Sequence, residues 1–223
     1  MGSEAGLFAS RQGRCIIKEQ RGGAIYASTK PWFGQQAAPA DGWRRALSRS
    51  SVRRHQMPGF HCSTCGSHHD ELPLVLGAFA PAAWEALPEN QREARAVLSS
   101  DQCIIDNQQF FLLGRLDIPV VGQENPFTWL TWVSVSEANF ERASDLWHTE
   151  GRESEPPYFA WIQSALPYPG GTLSLKAKLI TQPLGERPLV VLEETDHPLA
   201  VEQREGITAA RLQSIVEAAL HGV

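Results

Sequence analysis

The 223-residue chain is short of the features that announce a function. No run approaches the roughly 18 apolar residues that a membrane span needs. Around Gly2–Lys18 there is no apolar stretch of signal-peptide length. Phosphate-loop, dinucleotide-fingerprint, Gly-x-Ser-x-Gly and His-Glu-x-x-His patterns are all missing, which removes the motif-bearing nucleotide hydrolases, dehydrogenases, serine hydrolases and zinc proteases. Gly170-Gly171-Thr172 is read as a turn before a strand, not a phosphate cradle. Internal repeats are absent as well. Cysteine is scarce at four residues (Cys15, Cys62, Cys65 and Cys103). In a chain of this size without a secretory signal, they read as free or metal-bound thiols in a reducing, cytoplasmic setting.

What is present is enough for a core: 42% hydrophobic residues and seven tryptophans. The net charge of −5 is mild, but it is unevenly spread. Residues 1–56 carry ten Lys/Arg against three Asp/Glu, a balance of +7, and residues 57–223 carry ten against twenty-two, a balance of −12. A basic arm on an acidic body suggests a nucleic-acid or membrane-surface tail. The plainer reading is a disordered extension of residues 1–56 ahead of a single domain of residues 57–223, with Met57 as the natural start. Arg- and Ser-rich composition also fits an organelle transit peptide, although no clean amphipathic helix supports it.

From Met57 onward, period and punctuation predict a compact domain. Pro81 opens a helical turn through Trp84 and Leu87, and Pro88 opens a second helix from Glu89 to about Leu98. Strands follow at Cys103–Asp106, Phe110–Val120 and Phe127–Val135, the last apolar on both faces and therefore central. Ser136 caps a helix through Trp147 that Gly151 stops. Tyr158–Leu166 is expected to be helical. Thr172–Ile180 alternates with period two and pairs with Arg187–Glu193 in a hairpin. Thr208 caps a final helix whose stripe is Leu212, Ile215, Val216, Ala219 and Leu220. The expected class is α+β, with about five mostly antiparallel strands, helices on one face or end, and a CxxC knuckle in front.

That knuckle, Phe60-His61-Cys62-Ser63-Thr64-Cys65-Gly66-Ser67-His68-His69, is the local motif with a chemical mechanism attached. Its spacing lets two thiolates face one ion, and Gly66 permits the tight turn behind them. A structural zinc site wants four such ligands, and no second CxxC exists. Cys62 and Cys65 supply two, and His69 is the best local third. The fourth falls to His61, His68, Cys103, His148, His197 or His221. The competing reading is a thiol pair in a tight turn with His68 and His69 solvated. A redox pair would need a preceding strand in a βαβ unit, which the sequence does not suggest.

Several of these pieces occur together in one family. They are Cys62-x-x-Cys65-Gly66-x-x-His69, Leu72-Pro73, Asp101-Gln102-Cys103-Ile104-Ile105-Asp106, Phe110-Phe111 before Ile118-Pro119-Val120, and Trp129 with Trp132-Val133-Ser134. Tyr158-Phe159-Ala160-Trp161, Leu166-Pro167-x-Pro169 and Thr195-Asp196-His197-Pro198-Leu199-Ala200 complete the set. From Phe60 to about Ala219 the chain resembles the bacterial domain of unknown function 2199 family. The resemblance implies bacterial origin and a domain beginning near Met57. It implies no activity and transfers no catalytic residues.

Function is therefore read from the residues. The expectation is a non-enzymatic binding domain with a structural zinc knuckle, its partner another protein or a small ligand. The alternative is a hydrolase-like enzyme built on His197 or Cys103 with Asp101, Asp106, Asp117 or Glu124. Each of these residues also has an ordinary structural role open to it: Cys103 as a buried hydrophobe, His197 at a helix start, the acids at strand ends. Trp129, Trp132, Trp147, Trp161, Tyr158 and Phe159 are expected to pack in the core. Single-strand nucleic-acid binding would need basic residues interleaved with them, and the acidic balance of the domain speaks against it.

Overall fold

Two long strands with apolar residues on both faces organise the chain. The computed structural model describes residues 57–221 and, upstream, two short strands, β1 (Ile17–Lys18) and β2 (Ile25–Ala27). The remainder of residues 1–56, where the disordered extension was expected, lies outside the described residues. Next come β3 (Met57–His61), β4 (His68–Leu72), β5 (Val75–Ala78), α1 (Ala82–Glu85), α2 (Glu89–Arg95), β6 (Ala96–Leu98) and β7 (Gln102–Ile105). The central pair is β8 (Gln109–Ile118) and β9 (Phe127–Val135). After them lie α3 (Glu137–Asp145), β10 (Tyr158–Ile162), β11 (Lys176–Ile180), β12 (Leu189–Leu192), α4 (Pro198–Glu205) and α5 (Ala209–His221).

β8 and β9 are antiparallel from Phe110↔Val135 to Ile118↔Phe127. From β8 the chain meanders through β9, β10, β11 and β12, each antiparallel to the one before, and β12 returns to β8 to close a five-stranded barrel. The closing pair, Leu189↔Arg115, is parallel. It has to be, because the first and fifth strands of an antiparallel meander point the same way. Gly114 permits that approach: a Cβ there would sit 2.6 Å from Val190 Cγ2 and 3.0 Å from Pro188 O. Beyond the barrel, β5 runs parallel to the first half of β9 while β10 takes the second half of the same edge. β7 and β6 extend the sheet from the first half of β8.

Alternation along β8 and β9 therefore feeds two cores. Leu112, Leu116, Ile118, Phe127, Trp129 and Val133 enter the main core with Leu199, Leu212, Ile215 and Val216 of the C-terminal helices. Phe111, Leu113, Leu130 and Trp132 enter a second core beneath β7, with Trp84 and Leu87 packed against it. Both indole N–H groups in β9 are satisfied: Trp132 donates to Ala78 O at 3.2 Å and Trp129 to Tyr168 Oη at 3.4 Å.

Several expectations need correction. There are twelve strands among the described residues rather than about five, and two pairs are parallel. Helices cover two sides, because α1 borders the second core while α3, α4 and α5 serve the first. The segment expected to be helical from Tyr158 is β10: Tyr158, Ala160 and Ile162 point in while Phe159 and Trp161 point out, a period of two. The strand expected from Thr172 begins only at Lys176. Thr172 instead ties a loop, its hydroxyl donating to Ser164 O and accepting from Leu166 N. The second helix stops at Arg95 and the chain turns directly into β6. β9 and the capping of α3 and α5 agree with the sequence reading: Ser136 Oγ accepts from Asn139 N and Thr208 Oγ1 from Arg211 N.

Candidate metal centre

β3 and β4 form a two-stranded sheet of their own, apart from the barrel sheet. Their turn is the knuckle. Cys62 N–H donates to Ser67 O and Gly66 N–H to Cys62 O, both at 2.9 Å, and Gly66 adopts the left-handed φ of 70° that such a turn demands. The two sulfurs are brought to one side of the loop by this geometry. Register then places His69 across from Phe60, and the two rings stack at 4.9 Å with 16° between planes. That stack fixes the imidazole beside Cys65, whose Sγ lies 3.6 Å from His69 Nε2.

The fourth group comes from the far end of the chain. His221, the last residue of α5, brings its Nε2 to 3.1 Å from Cys62 Sγ. One ligand atom from each of Cys62, Cys65, His69 and His221 lies within 4.8 Å of the other three. In a tetrahedral zinc site these atoms stand about 3.3–3.8 Å apart, given bonds of about 2.3 Å to sulfur and 2.0 Å to nitrogen. The Cys62–His221 pair at 3.1 Å is tighter than that, the Cys65–His69 pair at 3.6 Å matches it, and no pair in the group exceeds 4.8 Å. Cys62 is buried, Cys65 is exposed, and both imidazoles are half-buried, so the site sits at the surface with one wall in the core.

A second set of contacts holds the knuckle to α5. Glu217, one helical turn before His221, accepts from Ser63 N at 3.0 Å and from Ser63 Oγ. Gln213, one turn earlier, donates to Glu217 Oε1 at 2.8 Å and to His61 O at 3.2 Å. These bonds hold the Glu217 carboxyl below the usual carboxylate range, the Ser63 hydroxyl first among them. The Cys65 thiol is lowered to about 6, chiefly by the Ser67 backbone N–H and then by His69. The shift favours the thiolate, the form that binds metal.

The other sequence candidates lie elsewhere. Cys103 is in β7, fully buried in the second core, and burial pushes its thiol up to about 12. His197 is the N-cap of α4. Its Nδ1 accepts from Leu199 N at 3.2 Å, which leaves Nε2–H to donate to Gly171 O at 2.9 Å. Asp101 pairs with Arg187, Asp106 with Arg95, and Asp117 with Thr128 and Arg115. Trp129, Trp132 and Tyr158 are buried as expected, whereas Phe159 and Trp161 are exposed. Glu217 was not foreseen. Its signal was a carboxylate four residues before a histidine on the last helix, and spacing alone does not say what such a pair faces.

The family model described as "Uncharacterized protein conserved in bacteria (DUF2199)" matches residues 61–207, about two thirds of the chain. No curated protein and no solved structure matches. The matched span includes Cys62, Cys65 and His69 and ends before α5, which carries Glu217 and His221. The chain belongs to this family.

Proposed function

We propose that the protein is a non-enzymatic binding domain whose N-terminal hairpin is clasped to its C-terminal helix by a structural zinc ion. The ligands are Cys62, Cys65, His69 and His221. The observation that carries this is the convergence of the four ligand atoms within 4.8 Å, from residues separated by up to 159 positions. Two thiolates and two imidazoles form a soft set suited to tetrahedral zinc. Glu217 and Gln213 serve as the outer contacts that orient such a site.

A binding role is favoured over the hydrolase alternative by what the would-be catalytic groups are doing. Both ring nitrogens of His197 are engaged in holding the start of α4. Cys103 is sealed in the core with a raised pKa, so it offers no thiolate. Of the acids named with them, Asp101, Asp106 and Asp117 hold arginine or threonine partners.

Elemental analysis of the full-length chain, purified without chelators, tests the clasp. About one zinc per chain is expected by analogy with structural Cys2His2 sites, and Cys62→Ser or His221→Ala should lose it. Metal-free protein whose thermal stability is indifferent to Cys62→Ser would end the proposal.

A further inference from the structure

The outer face of β10 carries two exposed aromatic rings where a barrel strand facing solvent would ordinarily carry polar groups. Phe159 is 48% exposed and Trp161 37%, and they meet edge to face with centroids 5.1 Å apart. Beside them a cleft of about 350 Å³ is lined by Ser134, Val135, Ser136, Asn139, Phe159 and Trp161. Its size falls at the lower end of the range of about 300–1,000 Å³ that small-ligand sites occupy. The Ser134 hydroxyl and the Asn139 amide have no hydrogen-bond partner among the described residues, so both are free to meet a ligand.

Charge singles out this face. Beyond residue 56 the sequence contains only two lysines, Lys176 and Lys178. Both lie on β11, exposed, and register sets Lys176 against Trp161 and Lys178 against Phe159. Lys176 Nζ stands 5.8 Å from the Trp161 ring centre. Neither ammonium has an ion-pair partner among the described residues, even though Glu193, just past the end of β12, donates its N–H to Lys176 O at 2.9 Å. From one flank to the other the face therefore reads cleft with a few polar groups, aromatic pair, lysine rail. Each step is one strand, about 4.8 Å.

We propose that this face binds a free nucleotide. The base lies in the cleft against Trp161 and Phe159, with its edge toward Ser134 and Asn139, and the phosphate reaches Lys176 and Lys178. A flat ring answers the exposed aromatic pair, and an anion answers lysines that hold no ion pair. Two lysines can neutralise one phosphate group. The balance of −12 over residues 57–223 opposes a long polyanion, which selects a mononucleotide over a nucleic-acid strand. The inference rests on the binding-domain half of the proposal above and makes no use of the zinc.

Calorimetric titration of the full-length protein with AMP, adenosine, ribose 5-phosphate and a short deoxythymidine oligonucleotide tests it. AMP should saturate one site with a Kd on the order of 10–100 μM. Adenosine and ribose 5-phosphate should each bind about tenfold or more weaker. Trp161→Ala should weaken AMP and adenosine alike by about tenfold. Lys176→Ala with Lys178→Ala should weaken AMP toward the level of adenosine and leave adenosine unchanged. All three substitutions lie on the surface, and circular dichroism confirms that the variants are folded. Absence of saturable AMP binding at millimolar concentration would overturn the proposal. So would AMP binding indifferent to these substitutions, or an oligonucleotide that displaces AMP, binds tighter than it and is weakened by Trp161→Ala. Zinc content, measured separately, decides the clasp: AMP binding that persists in zinc-free Cys62→Ser protein supports this site while the clasp is judged on its own.

Discussion

Trp129 in β9 and Cys62 in the knuckle are both almost wholly buried, at 0% and 2% exposure, yet they hold different kinds of structure. Trp129 stands in a closed barrel, with Phe127 edge to face at 5.1 Å and Tyr168 beyond it. Every strand there has two neighbours, so no edge is left to fray. The knuckle belongs to a two-stranded sheet that touches the main core through Phe60, Cys62 and Leu72. An isolated hairpin is marginal in water. What the hairpin lacks in apolar area it makes up in directed contacts to α5: Glu217 on Ser63, Gln213 on the His61 carbonyl, His221 on Cys62. One region is held by area and closure, the other by a few polar bonds and, on the reading above, by a metal.

The contrast is broken most severely from the barrel side. Trp129→Ala should cost about 3–5 kcal/mol, the usual range for deleting a buried aromatic. The loss should be global. Denaturant unfolding followed by fluorescence and by far-UV circular dichroism should shift together, with the hairpin lost alongside the barrel. Zinc removal should act on the opposite pattern. At free zinc about a hundredfold above its Kd, binding stabilises by about 2.7 kcal/mol, and chelation removes that amount. Hydrogen exchange should then rise in β3, β4 and the last turns of α5, while amides of β8 and β9 keep their protection. Uniform exchange across all strands after chelation would show that clasp and barrel are one cooperative unit.

The two regions also differed in how far the sequence exposed them. β9 was legible with correct ends, because nine residues apolar on both faces cannot be satisfied at a sheet edge. The final helix was legible from its cap and stripe, Leu212, Ile215, Val216 and Ala219, all buried. Barrel closure was not. It depends on a strand of four residues, β12, meeting β8 next to a glycine, and neither segment signals the other locally. β10 was misjudged because Pro156-Pro157 suits a helix start as well as a strand approach. The consequence was functional, since a strand puts Phe159 and Trp161 together on one face, beside lysines from the next strand. At the knuckle, Cys62, Cys65 and His69 were visible because turn and register bring near neighbours together. His221 stood among six candidates for the fourth ligand, and only the packing of α5 selects it.

The smallest effect separates the polar bonds of the clasp from its metal. Glu217→Gln keeps the shape of the side chain and an acceptor for one Ser63 donor but removes the charge. Hydrogen bonds to charged groups contribute about 1.5–3 kcal/mol, and with one acceptor retained the expected loss is about 1 kcal/mol. Its pH signature identifies the source. The folded Glu217 carboxyl is held below its ordinary range by Ser63 and Gln213. Its stabilisation is therefore complete above the unfolded pKa of about 4.3 and is lost as pH falls through the lower folded value. In chelator, where metal release cannot confound the profile, wild-type hairpin protection should fall through that acid window. Glu217→Gln should start lower at neutral pH and show no such step. If both proteins lose protection in parallel, the clasp draws nothing from the carboxylate, and the contrast with the barrel rests on the metal alone.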